Sequence, residues 1–310
     1  IVPTTIIGKT TNIDCININD SFKHRMTELR EEWEKSSHFI ELKQTDNDCV
    51  KMEKENRMKF ITFKHDYKLN IQPKSRKIIG VVREEGSNGH KEMMSAFYKA
   101  GNDVCDITMT DIFNHKTLNG FDGLAFVGGF SYSDVLGSAT GWYESIINNT
   151  HIFSEFTNFY RKENTFSLGV CNGCQLLVKL GWISNNVEIV QNKSKRFESR
   201  YVNVYVNESN SVMLKPIQKS VCGIWIAHGE GQFVFKNRDF DIALSYVDNN
   251  NQITHKYPYN PNGSNMGVAG IVSKDGRHLA MMPHPERCFM NWQCPYSQSN
   301  DEFTPWYYMF

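Results

Sequence analysis

The sequence has no surplus of either charge, since 34 Lys and Arg residues balance 34 Asp and Glu residues in a chain of 310. Proteins that bind nucleic acid or anionic membrane surfaces usually carry a basic surplus. The sequence also lacks an apolar run of the roughly 20 residues that a membrane-crossing helix needs, and it lacks a signal-like segment at its start. We therefore expect a cytoplasmic protein whose partners include neither nucleic acid nor a membrane.

Cysteine is too sparse for a secreted disulfide scaffold. The 8 cysteines are scattered over the whole chain, mostly in apolar or strand-like segments, whereas small secreted domains concentrate them. This distribution favours a reducing compartment. Apolar residues make up 40% of the sequence, which is enough for a substantial core. The length suits one large domain or two smaller ones.

The first 75 residues differ in pattern from the rest of the chain. Residues 20–41 combine charged and apolar residues at helical spacing, residues 59–63 (KFITF) predict a strand, and residues 72–75 (QPKS) are typical of a linker. We interpret residues 1–75 as a helical appendage and linker before a separate domain at residues 76–310. The abrupt start and the abrupt apolar end of the sequence suggest a piece of a longer polypeptide.

Strand-like and helix-like segments alternate in the first part of that domain, and strand patterns dominate the second part. Such alternation predicts an α/β domain with a mainly parallel sheet flanked by helices. Ligands bind to such sheets beyond the carboxyl ends of the strands. The predicted strands cover residues 77–82, 104–109, 123–127, 165–169, 201–206, 224–228, 242–247, 266–272 and 278–282.

The most informative segment is residues 167–177 (SLGVCNGCQLL), in which a short apolar run leads into a helical pattern. Cys171 lies at the turn, between Gly169 and Gly173. A side chain on such a strand-to-helix turn projects into solvent, and the positive end of the helix dipole favours the thiolate form of a cysteine. Cys171 is therefore predicted to be an exposed, activated nucleophile.

A cysteine nucleophile needs a base, and the base needs an orienting group. The best candidate is residues 283–287 (PHPER), which follow a predicted strand. Pro285 should hold His284 in extended geometry, and residues i and i+2 of an extended chain point the same way. His284 would take the thiol proton, while Glu286 would fix the tautomer of His284 and support its charge. A surface turn with a casual ion pair is the alternative interpretation.

Attack on an amide also needs donors aimed at the developing oxyanion. Gly129 follows a predicted strand beside another glycine and leaves its backbone amide open, and the amide of Asn172 comes directly after the nucleophile. Residues 227–231 (AHGEG) end another strand, and Gly229 beside His228 suits the close approach of a small ligand. A plain turn explains either glycine segment equally well.

Cys171 and Cys174 form a C-x-x-C pair, which occurs in redox and zinc sites. A zinc site is not expected because no second pair accompanies it, and a thioredoxin-like motif would stand in a smaller domain. Cys174 is predicted to face the packed side of the helix. We therefore expect no metal and no cofactor within this chain.

Several segments together resemble a known family. Residues 169–175 (GVCNGCQ) resemble the G-x-C-x-G-x-Q elbow of the triad-type, or class I, glutamine amidotransferases, and residues 283–286 (PHPE) resemble their His-x-Glu pair. Over residues 77–310 the resemblance is closest to the C-terminal glutaminase domains of the large, single-chain phosphoribosylformylglycinamidine synthases. Residues 20–41 look like the tail of the preceding synthetase region. The further matching segments are residues 83–90 (REEGSNGH), 128–136 (GGFSYSDVL), 196–200 (RFESR) and 228–231 (HGEG).

This resemblance implies a flavodoxin-like sheet and a glutaminase in which a cysteine attacks the side-chain amide of glutamine. Ammonia would pass to the synthetase region of the same polypeptide, where ATP and magnesium activate formylglycinamide ribonucleotide. The residues implied are the triad Cys171, His284 and Glu286, the oxyanion donors Gly129 and Asn172, and the substrate-binding residues Phe130, Gln175, His228 and Gly229.

Two positions depart from the family pattern. Ser133 stands where members usually have glycine, and Glu85 stands where many have glutamine; both changes could alter loop geometry at the glutamine site. Two other functions are compatible with the residues alone. One is a stand-alone cysteine–histidine hydrolase or peptidase of the same fold, and the other is a catalytically silent structural module, against which the intact triad argues.

Overall fold

The computed structural model describes residues 2–56, 65–71, 75–295 and 300–310. The chain divides into two compact units, residues 1–60 and residues 61–310. The predicted strand at residues 59–63 and most of the predicted linker at residues 72–75 lie outside the described residues.

Residues 65–71 belong to the second unit. Asp66 and Val221 exchange backbone hydrogen bonds of 3.3 and 2.9 Å, and the backbone N–H of Lys68 donates to the hydroxyl of Ser220 at 2.7 Å. The predicted domain boundary after residue 75 stays a prediction.

The first unit holds a hairpin followed by two helices. Its elements are β1 (Ile16–Ile18), β2 (Phe22–His24), α1 (Met26–Gln44) and α2 (Asn47–Asn56). The helix predicted over residues 20–41 begins later than expected, because Phe22 pairs with Ile18 in the hairpin. No residue of α1 is buried, and most of its apolar side chains are exposed, with Trp33 85% exposed.

The second unit alternates strands and helices in its first part and consists mainly of strands in its second part. Its strands are β3 (Ile78–Arg83), β4 (Asp103–Thr108), β5 (Gly123–Phe126), β6 (Phe166–Val170), β7 (Val187–Gln191), β8 (Glu198–Val206), β9 (Val221–His228), β10 (Glu230–Phe235), β11 (Asp241–Val247), β12 (Val268–Val272) and β13 (His278–Met281). Its helices are α3 (His90–Lys99), α4 (Met109–Phe113), α5 (Thr140–Ile147), α6 (Thr150–Arg161) and α7 (Asn172–Lys179).

A 9-stranded sheet forms the centre of this unit, in the order β4-β3-β5-β6-β13-β12-β11-β8-β9. Neighbouring strands are parallel from β4 to β13 and antiparallel from β13 to β9. Helices connect the strands of the parallel part, as parallel pairing requires, and shorter connections suffice for the antiparallel part. The α/β class is confirmed. A separate antiparallel pair joins β7 to β10.

The parallel part of the sheet is buried on both faces. Val81 and Val82 are consecutive residues of β3 and both are fully buried; since successive side chains of a strand point to opposite faces, both faces must be covered. Helix α6 buries Ile152, Phe156 and Phe159, which lie three and four residues apart on one helical face.

The strand register brings the candidate site together. Gly169 of β6 lies opposite Phe126 of β5, and Val170 of β6 lies opposite Met281 of β13. The segments that follow these three parallel strands therefore leave the sheet at the same edge. Those segments carry Gly129, Cys171 and His284.

Candidate active site

Cys171 occupies a strained turn between β6 and α7. Its backbone angles are φ 53° and ψ −106°, a combination that an ordinary side chain adopts only at a cost of order 1–3 kcal/mol. The neighbouring glycines make the turn possible. A Cβ on Gly173 would lie 2.0 Å from the carbonyl oxygen of Phe126, and one on Gly169 would lie 2.5 Å from the carbonyl oxygen of Gly173.

The prediction that the Cys171 sulfur projects into solvent is wrong. Cys171 is only 7% exposed, and its Sγ lies 3.4 Å from the carbonyl oxygen of Ala227. The thiol is covered because segments from distant parts of the chain fold over the turn and line a cavity of about 190 Å³. The cavity is lined by Asn88, Gly129, Phe130, Cys171, Phe197, Ala227, His284 and Arg287.

His284 and Glu286 form a buried pair beside Cys171. The Nδ1 of His284 lies 2.6 Å from Oε1 of Glu286, and the two residues are 1% and 0% exposed. The backbone N–H of His284 donates to the carbonyl oxygen of Trp225 at 2.8 Å, which fixes the segment against β9. The predicted extended geometry is not the cause of the pairing, because Pro285–Arg287 forms a 3₁₀ turn.

The charge of this pair favours a protonated imidazole. Complete burial by itself would lower the pKa of His284, but the carboxylate of Glu286 and the thiol of Cys171 outweigh burial and raise this pKa to about 9. The other ring nitrogen, Nε2, is buried and has no hydrogen bond of ordinary length among the described residues. Because Nδ1 is paired with Glu286, Nε2 is the nitrogen that remains for proton exchange with a reacting group.

Gly128 leaves the space in which the histidine and the cysteine meet. A Cβ at this position would lie 2.8 Å from Cε1 of His284 and 3.4 Å from Cβ of Cys171. Any side chain here would push the imidazole away from the thiol. Glycine at 128 is therefore required by the site and not by backbone conformation, since its φ is not positive.

The two candidate oxyanion donors lie on either side of the cysteine. Gly129 has φ 147° and lines the cavity, and its loop is held by hydrogen bonds from Phe130 N to Gly86 O (2.9 Å) and from Asn88 N to Gly128 O (3.1 Å). Asn172 is the first residue of α7, where helical N–H groups have no partner within the helix. In the part of the chain that the structure describes, neither amide donates to a backbone carbonyl. Their role in binding an oxyanion stays a prediction.

The side chain of Gln175 is used inside the protein. Its Nε2 donates to the carbonyl oxygen of Glu230 at 2.6 Å, and its Oε1 accepts from Nδ2 of Asn172 at 3.0 Å. Asn172 in turn accepts from the backbone N–H of Ser131 at 3.3 Å. Gln175 does not line the cavity that holds Cys171 and instead connects α7 to β10, while Asn172 connects α7 to the loop after β5.

His228 and Gly229 do not line the cavity either. Nδ1 of His228 lies 3.0 Å from Oδ1 of Asn192, and burial, assisted by the nearby positive charge of His284, lowers the pKa of His228 to about 3. The carbonyl oxygen of Gly229 accepts from the backbone N–H of Asn192 at 2.9 Å. Among the four residues predicted to bind substrate, Phe130 alone lines the cavity. The substrate-binding roles of all four stay predictions.

Phe197 lines the cavity, and residue-by-residue reasoning from the sequence missed it. It stands next to Glu198, whose fully buried carboxylate accepts from Arg196 at 3.2 Å and from Arg200 at 2.7 Å. This buried ion network holds the start of β8 in place, and the Phe197 ring lies 6.1 Å from the Phe130 ring. The signal was present in residues 196–200, which matched the family as a segment.

Asn88, Ala227 and Arg287 were also missed as cavity residues. Asn88 and Arg287 belong to segments that the sequence singled out, residues 83–90 and 283–287. Nothing in those segments distinguishes a cavity side chain from its neighbours.

The C-x-x-C pair is not a disulfide. No cysteine of the described residues forms a disulfide, and Cys174 is completely buried in the core, where burial raises its pKa well above the usual range. Among the described residues, no group of three or more His, Cys, Asp or Glu side chains is placed to hold a metal ion. Within the same residues, no helix is long and apolar enough to cross a membrane.

A cysteine at a strand-to-helix turn beside a buried histidine–glutamate pair defines a site of the cysteine-nucleophile class, which acts on amides and esters. Residues 76–310 match the family described as CobB/CobQ-like glutamine amidotransferase domain. The chain belongs to this glutamine amidotransferase family, and the predicted family membership is confirmed.

The curated relatives are much longer than this chain. A probable phosphoribosylformylglycinamidine synthase, chloroplastic/mitochondrial, from Arabidopsis thaliana is 41% identical over 100% of the chain and 24% of its own length. The phosphoribosylformylglycinamidine synthase of Dictyostelium discoideum is 38% identical over 100% of the chain and 27% of its own length. The chain thus spans about a quarter of these relatives.

A solved structure has the same fold. PurLQS from Thermotoga maritima superposes with a TM-score of 0.59 and 24% identity, covering 71% of this chain and 92% of that chain. At this identity the similarity concerns the fold alone.

Proposed function

We propose that the chain hydrolyses glutamine to glutamate and ammonia through a thioester on Cys171. One observation carries the proposal: the Cys171 thiol shares a small, partly open cavity with His284, whose imidazole is paired at 2.6 Å with Glu286. A cavity of about 190 Å³ is smaller than the roughly 300–1,000 Å³ of sites for drug-sized ligands. It suits a single amino acid better than a peptide.

The reaction follows from the protonation state of the pair. Because the pKa of His284 is raised to about 9, the imidazole holds a proton at neutral pH and supports a thiolate on Cys171. The thiolate attacks the side-chain carbonyl carbon of glutamine, and the amides of Gly129 and Asn172 receive the oxyanion. His284 Nε2 then gives its proton to the leaving nitrogen, so that the C–N bond breaks and ammonia leaves.

Deacylation reverses the role of the histidine. Neutral His284 takes a proton from a water molecule, the resulting hydroxide attacks the thioester carbonyl, and the C–S bond breaks. Glutamate leaves, and the thiolate–imidazolium pair is restored. Glu286 keeps its hydrogen bond to Nδ1 throughout and stabilises the charged imidazole.

For the whole polypeptide we propose the activity named for its relatives, a phosphoribosylformylglycinamidine synthase of the cytoplasm. The ammonia would be used by a synthetase region of the same polypeptide, which would bind ATP and magnesium and convert formylglycinamide ribonucleotide to its amidine. The size of the relatives and their identity of 38–41% over the whole chain support this proposal.

The test uses the full-length polypeptide that contains this chain. Glutamate release from glutamine should be abolished in Cys171→Ala and unchanged in Cys105→Ala, whose cysteine lies on β4 away from the cavity. Synthetase activity of Cys171→Ala should be restored by ammonium salts. Glutamate release by Cys171→Ala at the wild-type rate would refute the proposal, and so would cleavage of peptides in the absence of glutamine hydrolysis.

A further inference from the structure

One cation lines the cavity besides the catalytic histidine. Arg287 directly follows Glu286 in the 3₁₀ turn Pro285–Arg287, so the turn that carries Glu286 also places Arg287 at the cavity. Among the lining residues, no other lysine or arginine is present. Besides His284, Arg287 is therefore the lining residue whose positive charge can pair with a negatively charged ligand.

The guanidinium of Arg287 is only weakly engaged by the protein. Its Nη2 donates to Oδ1 of Asn88 at 3.2 Å, which is a neutral partner. Its Nε lies 3.7 Å from Glu92 and 3.9 Å from Glu286, both too far for a hydrogen bond. Nη1 has no hydrogen bond or ion pair among the described residues, so donors remain for a ligand.

A free amino acid brings a carboxylate that a glutaminyl residue within a peptide lacks. The planar guanidinium fork matches a carboxylate with two parallel hydrogen bonds. We propose that Arg287, positioned by Asn88, binds the α-carboxylate of the amino-acid substrate and restricts the site to free glutamine. This inference rests on the proposed glutaminase function.

The contact of Arg287 with Glu286 offers a competing role. Oε1 of Glu286 lies 3.9 Å from Nε of Arg287, and the same oxygen pairs with Nδ1 of His284 at 2.6 Å. Loss of Arg287 could therefore weaken catalysis through the triad, without any contact with substrate. A loss through the triad affects every substrate equally, whereas a lost carboxylate anchor affects only substrates that carry the carboxylate.

The experiment compares L-glutamine with L-glutamine methyl ester, which keeps the side-chain amide and lacks the α-carboxylate charge. In the full-length enzyme, Arg287→Gln should lower kcat/KM for glutamine by about 10- to 100-fold, mainly through KM. The same variant should hydrolyse the ester with a kcat/KM within about twofold of the wild-type value. Arg287→Lys should fall in between, and Arg161→Gln, on the surface of α6, should match the wild type.

Labelling of Cys171 separates a misfolded variant from a specific one. A glutamine-analogue diazoketone carries the amino-acid group, and iodoacetamide does not. Arg287→Gln should react slowly with the first and at the wild-type rate with the second. An equal loss for glutamine and its ester, or unchanged diazoketone labelling, would overturn the inference while leaving the glutaminase proposal intact. Absence of glutamine hydrolysis by the wild type would remove both.

Discussion

The backbone N–H of Ser131 donates to the side-chain oxygen of Asn172 at 3.3 Å. This bond joins the loop after β5, which carries Gly129, to the first turn of α7, which carries the amide of Asn172. Two amides from separate elements can act on one oxyanion only if their separation is fixed. The side chain of Asn172 therefore has a structural role that is distinct from the role of its backbone.

Replacement of Asn172 by alanine tests this connection, because it keeps the backbone N–H and removes the link. We expect kcat/KM for glutamine to fall about three- to tenfold, since the side-chain hydrogen bonds of Asn172 to Ser131, Asp134 and Gln175 are lost and one donor becomes less well placed. Steady-state kinetics measures the fall, with Asn158→Ala on the surface of α6 as the control. Wild-type kinetics in Asn172→Ala would show that the loop holds its position without this bond.

Gly128 tests the need for empty space between the histidine and the cysteine. In Gly128→Ala the new Cβ would lie 2.8 Å from Cε1 of His284, so the imidazole must shift. We expect kcat to fall by roughly 10²-fold, the effect typical of a displacement near 1 Å. Gly120→Ala is the matched control, because a Cβ there has no atom within 4 Å. Equal activity of the two variants would contradict this account of Gly128.

The Glu286–His284 pair sets the pH range of the reaction. The pKa of His284 is raised from 6.5 to about 9, so the proton needed by the leaving ammonia is present at neutral pH and is lost as the pH rises through about 9. Glutaminase activity should therefore decline at alkaline pH, and the apparent pKa of this alkaline limb belongs to the coupled histidine–cysteine pair. The stability that this charged pair contributes should be complete below pH 6.5 and disappear across the same limb.

Replacing Glu286 by glutamine should shift that limb to lower pH, because burial then dominates and lowers the pKa of His284. We also expect kcat to fall by roughly 10³- to 10⁴-fold, as when the orienting carboxylate of a triad is lost. The pH dependence of Cys171 alkylation by iodoacetamide measures the shift without relying on turnover. An alkaline limb that stays near pH 9 in Glu286→Gln would disprove the electrostatic role of Glu286.

Ser133 is the departure from the family pattern with the clearest structural consequence. It has φ 56°, between Tyr132 and Asp134, which both have φ 51°. A left-handed conformation costs a non-glycine residue about 1–2 kcal/mol, and glycine avoids this cost. Glycine also raises the conformational entropy of the unfolded chain, which lowers the stability of the fold by about 0.4–1 kcal/mol. Ser133→Gly should therefore raise the free energy of unfolding by about 0.5–1 kcal/mol.

Chemical denaturation measures the change at Ser133, and Ser133→Ala is the control that keeps the strain. A gain in Ser133→Ala as large as that in Ser133→Gly would show that the backbone angle is not the cause. No account of the other departure, Glu85, follows from its contacts, since its backbone N–H donates to Glu84 and its side chain is exposed.

The sequence predicted the fold and the centre of the site for physical reasons that are local. A cysteine between two glycines at the end of an apolar run, and a histidine between two prolines, are short patterns whose geometry depends mainly on their neighbours. Parallel strands then end at one edge of the sheet, so Cys171 and His284 were expected on the same side. The pairing of His284 with Glu286 arises from a 3₁₀ turn, which the extended geometry assumed from Pro285 did not predict.

The enclosure of the site could not be predicted in this way, because it depends on contacts between distant segments. Ala227, on β9, and Phe197, directly before β8, line the cavity of Cys171 although they lie 56 and 26 residues further along the chain. The partners of Gln175 likewise include the carbonyl oxygen of Glu230, which belongs to another strand. Long-range packing of this kind leaves no periodic signal in the sequence.

The burial of Cys171 has a consequence for the lifetime of the protein. A thiolate paired with an imidazolium is the form of cysteine most easily oxidised, and oxidation beyond the sulfenic acid is irreversible. With 7% of the residue exposed, large disulfides such as oxidised glutathione are sterically kept from the sulfur, whereas a small amino acid fits the cavity. The burial thus hinders mixed-disulfide formation with large partners while the sulfur remains open to a small substrate.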